Sequence, residues 1–119
     1  MSDEFIKIAT TEINEEISSL EKIISDCQND ADVLSNADKF EKSTHKIKGL
    51  APMMGKEELG SFSGILDSIL KKMIDGITIN GIFSIFCDSI SSMKQCMIEP
   101  DYNFEEIKFR ISQIQNNLN

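Results

Sequence analysis

The chain has one histidine, His45, in the stretch THKIKGLAPMMG (residues 44–55), three residues before Lys48 and four before Gly49. Residues three and four apart share a helix face. An imidazole, an ammonium and a bare glycine backbone would therefore lie together, with Glu41 one turn earlier. A glycine inside a helix costs roughly 1 kcal/mol relative to alanine. Close approach of another body to the helix would offset that cost. That body is either a partner's active site or a neighbouring helix of the same domain.

An imidazole held in one tautomer keeps a free lone pair on its other nitrogen. Beside a lysine, that nitrogen suits a phosphoryl group, whose transfer depends on in-line positioning and charge compensation. General acid–base catalysis fits less well, because the pattern offers no enclosed cleft and no second catalytic group. None of the three cysteines is near His45 in sequence.

A second segment extends this constellation. Between residues 57 and 74 the apolar stripe leaves a face of Gly60, Ser63, Gly64, Asp67 and Lys71. The reading is of a low, exposed surface on which a partner docks, formed with Gly49 and Glu41, and with an exposed Asp67 at its centre. A turn at Gly55 makes the flanking helices antiparallel neighbours. His45 lies ten residues before that glycine and Asp67 twelve after it, so the two stand at similar height. Asp67 is then expected to hold one ring nitrogen and fix the tautomer; the alternative is a solvated i,i+4 pair with Lys71.

Five apolar stripes must position these groups. Phe5, Ala9, Ile13, Ile17, Leu20, Ile24 and Cys27 form the first; Leu34, Ala37, Phe40, Thr44, Ile47 and Ala51 the second. Leu59, Phe62, Leu66, Ile69 and Met73 form the third, Ile79, Phe83, Phe86, Ile90, Met93 and Met97 the fourth, and Phe104, Ile107, Ile111, Ile114 and Leu118 the fifth. All recur at steps of three and four, the period of an amphipathic helix. Asp75-Gly76 and Glu99-Pro100-Asp101 mark stops. The predicted fold is all-α: a single domain over residues 1–119, built as an antiparallel up-and-down four-helix bundle with an additional fifth helix.

The segment THKIKGLAPMMGKEELGSFSGILDSIL resembles the histidine-containing phosphotransfer (HPt) domain, and within that family the amino-terminal domain of CheA-type chemotaxis histidine kinases. The residues carrying the resemblance are His45, Ile47, Lys48, Gly49, Gly55 and, twenty-two positions after the histidine, Asp67. The resemblance implies that His45 is phosphorylated from ATP by a histidine-kinase ATP-binding domain and passes the group to an aspartate of a response-regulator receiver. It implies a role beside the imidazole for Lys48, and for Asp67 the role of a glutamate that hydrogen-bonds the ring. ATP and magnesium would belong to those partners, with no cofactor bound by this chain.

Three departures stand out. Asp67 is one methylene shorter than the glutamate, so its bond to the ring is expected to be longer or water-mediated. Gly64 replaces a second histidine found in some members. Pro52 removes a backbone donor and disfavours helix at Ala51, so a kink or an early helix end is expected near residue 51, with Lys48 displaced if the kink is large. The competing reading is a helical interaction module that keeps the fold without phosphate chemistry.

Composition narrows the classes further. Twelve Lys and Arg against 20 Asp and Glu give a net charge of −8, which opposes nucleic-acid and anionic-membrane partners. Cys27, Cys87 and Cys96 match no zinc spacing; they read as reduced thiols of a cytoplasmic protein, and no metal site is expected. The chain shows no signal peptide, no apolar run long enough to span a bilayer and no nucleotide-binding signature, so phosphorylation would need a separate kinase core.

Overall fold

The apolar stripes resolve into six helices. The computed structural model describes residues 2–116 and comprises α1 (Asp3–Ser25), α2 (Asp30–Ser35), α3 (Ala37–Met53), α4 (Glu57–Ile74), α5 (Ile82–Ile98) and α6 (Glu105–Asn116), with no strand among the described residues. Leu118 of the fifth stripe lies outside them. None of these helices is long and apolar enough to cross a membrane.

The sixth helix is α2, where five helices were expected. Asn29 caps it, its side-chain oxygen accepting from the Asp32 amide at 2.9 Å. It ends at Asn36, whose non-helical backbone separates Leu34 from the stripe that resumes at Ala37. Asp30 belongs to this element, and it has a second task. Its carboxylate accepts from the Gly81 and Phe83 amides at 2.9 and 2.8 Å, satisfying otherwise unpaired donors at the start of α5.

The α3–α4 hairpin is set by a left-handed glycine. Gly55 has φ +85°; its amide donates to the Pro52 carbonyl at 3.1 Å, and the Lys56 amide reaches back to Ala51 at 2.8 Å. This pair of bonds is the Schellman arrangement, which satisfies the last carbonyls of a helix. Gly76 (φ +104°) ends α4 in the same way, with Gly76 bonded to Met73 and Ile77 to Lys72.

Pro52 therefore sits in the last turn of α3, which runs on to Met53 rather than ending near residue 51. The donor that proline lacks would have bonded the Lys48 carbonyl, and losing that bond is cheapest in a final turn. Across the hairpin, Pro52 lies against Gly60, the Lys48 stem over Gly64, and Thr44 against Asp67. These contacts step back along α3 as they step forward along α4, so the two helices are antiparallel.

Gly60 is buried and belongs to this packing, in contrast to its expected place on a docking surface. A Cβ built there would meet the Pro52 ring at 2.6 and 2.7 Å. Ser63, also expected on that surface, is fully buried, and its hydroxyl has no partner among the described residues. Small residues let two helix backbones approach closely, so this face of α4 is covered by α3. Phe40 meets Phe86 edge-on at 5.4 Å and Phe62 stacks on Phe104 at 4.7 Å, tying α3 and α4 to α5 and to the segment leading into α6. Cys27 and Cys96 are buried free thiols within the core.

Two glycine substitutions should move stability in opposite directions. A Cβ at Gly49 meets nothing within 4 Å, so Gly49→Ala should stabilise the domain by about 0.5–1 kcal/mol through helix propensity. Gly60→Ala should destabilise it by about 1–3 kcal/mol through overpacking, and Pro52→Ala should recover part of that loss in the double variant. Urea denaturation of the four proteins checks both signs.

Candidate functional site

Asp67 lies near the middle of α4, and its carboxylate is only 1% exposed, where an exposed side chain was expected. The reason is its register: it shares the small-residue face that α3 covers. A buried carboxylate requires charge or hydrogen-bond partners, and both helices supply them. Lys71, one turn on, places Nζ 3.1 Å from Oδ2. Lys48 reaches the same oxygen at 3.9 Å, its stem resting on Gly64. Thr44 directs Oγ1 at Oδ1 from 3.4 Å.

His45 stands beside this group on the outer surface. Its side chain is 61% exposed, with Nδ1 facing inward, 3.6 Å from Asp67 Oδ2 and 3.7 Å from Glu41 Oε2. Both separations exceed a hydrogen bond. For Asp67 this is the longer contact its shorter side chain led one to expect. Among the described residues, the other ring nitrogen, Nε2, forms no ion pair with an acidic group. Gly49, one turn further along α3, leaves the helix bare next to the ring. An open groove between α1 and α3 passes it, bordered by Glu12, Glu16, Gly49 and Met53.

Glu41, expected on a docking surface, is mostly covered and part of the charged cluster. Hydrogen bonding to Asp67, then burial, then the Asp67 charge push its carboxyl above the ordinary range, against the pull of His45 and Lys71. Burial pushes Asp67 upward, but hydrogen bonds from Glu41 and Lys71 and the nearby positive charge prevail, holding it below the usual aspartate range. The physical picture is two carboxyl groups too close to ionise independently. Of the two, Asp67 gives up its proton more readily than an ordinary aspartate and Glu41 less readily than an ordinary glutamate. Lys71 is pushed upward by its hydrogen bond to Asp67 and by that charge.

The structure thus brings together His45, Lys48, Asp67 and Glu41. Gly49 and, partly, Gly64 are on the accessible side, whereas Gly60 and Ser63 are inside. Reasoning from sequence gave Thr44 only a packing role, and its hydroxyl in an otherwise apolar stripe was the available signal. Lys71 entered only as an alternative partner for Asp67; it is the cation nearest that carboxylate, alongside the histidine. Pro52 leaves Lys48 on the face of His45. No protein-family model, curated protein or solved structure matches this chain.

The carboxyl pair carries a pH signature. A raised Glu41 pKa means that the folded state favours its protonated form. The stabilising contribution is fully present below the ordinary glutamate value of 4.5 and is lost as pH rises through the raised folded value. Glu41→Gln, which mimics the protonated form, should therefore melt increasingly above the wild type as pH is raised from 4.5 through the raised folded value, then at a constant offset. Thermal melts of both proteins across that range measure it; a gap that narrows with rising pH contradicts the assignment.

Proposed function

We propose that this chain is a phosphotransfer domain of two-component signalling, with His45 as the phosphoacceptor. The observation that carries the reading is the asymmetry of the imidazole environment. Nδ1 faces two carboxyl groups at 3.6 and 3.7 Å, while the ring as a whole is largely exposed. A proton on Nδ1 is favoured by that negative surrounding, which leaves the lone pair on Nε2.

In the proposed step, the Nε2 lone pair attacks the γ-phosphorus of ATP held by a histidine-kinase domain. The bond from that phosphorus to the bridging oxygen breaks, and ADP departs. With Nδ1 still protonated, the phosphorylated ring is cationic, and the Asp67 carboxylate stabilises the charge as it develops. Lys48, three residues on from His45, offers its ammonium to the phosphoryl oxygens. The second half-reaction breaks the N–P bond as a receiver aspartate attacks, with magnesium supplied by the receiver. Gly49 gives either partner room to approach the ring.

The fold that accompanies this reading is an antiparallel up-and-down four-helix core of α1, α3, α4 and α5, with α6 added to it. The proposed setting is the cytoplasm, where kinase and receiver domains operate, whether the chain acts alone or within a longer kinase.

Incubation with ATP and a CheA-type kinase core lacking its own phosphotransfer domain tests the proposal. The expected product carries an acid-labile, alkali-stable phosphate that His45→Gln does not acquire. Asp67→Asn should label about tenfold more slowly, the scale expected for loss of an orienting partner, once its folded fraction is set by circular dichroism. Failure of several such cores to label the folded wild type would favour a non-catalytic interaction module.

A further inference from the structure

Glu41, His45 and Asp67 each present one donor atom, and the three atoms lie within 4.8 Å of one another. We infer that they form a binding site for a divalent first-row transition ion of the zinc class. Two of the ligands come from one face of α3, spaced i,i+4, and the third from the facing side of α4, so the hairpin itself fixes their convergence. Tetrahedral coordination at about 2.1 Å separates neighbouring ligand atoms by about 3.4 Å. The imidazole nitrogen already stands 3.6 and 3.7 Å from the two carboxylate oxygens, so those two edges of the site need to close by only a few tenths of an ångström, and the carboxylate oxygens must draw together within their 4.8 Å limit to complete it.

Two further features point to a cation. Asp67 is nine-tenths or more buried and turns Oδ2 toward the cluster, and that oxygen already attracts His45, Lys48 and Lys71. Its other oxygen lies 3.4 Å from the Thr44 hydroxyl, which it shares with the Glu41 carbonyl at 3.2 Å, a contact of the kind that orients a ligating carboxylate. An incoming divalent ion would displace the more tightly held Glu41 proton, and the two carboxylates then carry the two negative charges that match it. Imidazole together with carboxylate suits zinc and its neighbours better than magnesium or calcium. The exposed ring edge leaves a fourth position for water. Lys71 is the competitor: its Nζ holds Oδ2 at 3.1 Å and must swing outward, which its exposed position on α4 permits.

The consequence concerns the tautomer. An ion on Nδ1 takes that nitrogen's lone pair, and the ring proton must then reside on Nε2. The lone pair that attacks phosphorus is lost, so metal binding and phosphorylation exclude each other. This regulatory meaning rests on the proposed phosphotransfer role, whereas metal binding itself does not.

Titration of the full chain with zinc, followed by nitrogen-15 NMR of the imidazole, reads binding without any kinase. The chain has a single histidine, so the signal has one source. The expected result is a saturable shift of Nδ1 at one equivalent, reversed by chelator and not produced by magnesium. Glu41→Gln should weaken binding at least tenfold. Lys71→Met should tighten it severalfold, the opposite of what loss of a merely structural residue produces. No saturable shift of the wild type, or equal affinity in Glu41→Gln, overturns the site. So does cobalt substitution showing thiolate charge-transfer bands, which would place the ion on cysteine. If zinc binds but phosphorylation is never seen, the metal site stands and the phosphotransfer reading falls.

Discussion

A carboxylate withdrawn from water must be answered by its neighbours, and Asp67 imposes that demand on the centre of the α3–α4 hairpin. An unpaired buried charge costs several kcal/mol, and the group would otherwise take up a proton. Here Lys71, Lys48, Thr44, Glu41 and His45 all turn toward it. Four of the five come from α3. The register of α3 against α4 is thus coupled to the orientation of the imidazole. A slip of one residue would remove Thr44 and His45 from the carboxylate together.

Packing and chemistry use the same small residues for different ends. Gly60 admits the ring of Pro52, and Gly64 carries the stem of Lys48, which keeps the ammonium near Asp67. The proline that breaks the helical pattern is accommodated because it falls in the last turn and faces a residue without a side chain. Gly49 differs from both. Among the described residues, no neighbour lies where its Cβ would be, so the propensity cost of that glycine has no return in the packing they form. Its bare backbone lies beside the exposed ring, which is where an incoming protein would need space.

Much of this was legible in sequence, for definite reasons. Stripes at steps of three and four marked the long helices, and Gly55 and Gly76 marked turns that only a left-handed residue closes easily. Distances counted from Gly55 placed His45 and Asp67 at one height. The burial of Gly60, Ser63 and Asp67 was not legible, because small and acidic residues look solvated until the partner helix is known. The same ambiguity hid the placement of Glu41 beside the ring and the hydrogen-bonding role of Thr44. Helix α2 was missed because its six residues bury only Val33 and its capping asparagine resembles a loop.

The account turns on which nitrogen of His45 carries the proton. A free neutral imidazole needs no particular partner, but this one has two carboxyl groups on the side of Nδ1. Nitrogen-15 and proton correlation spectra of the metal-free chain, with its single histidine in the neutral form, report the tautomer directly. The proton is predicted to reside mainly on Nδ1, with Nε2 unprotonated, and to move toward Nε2 in Asp67→Asn. A wild-type ring protonated mainly on Nε2 would contradict the central claim, because Nε2 would then have no lone pair to offer phosphorus.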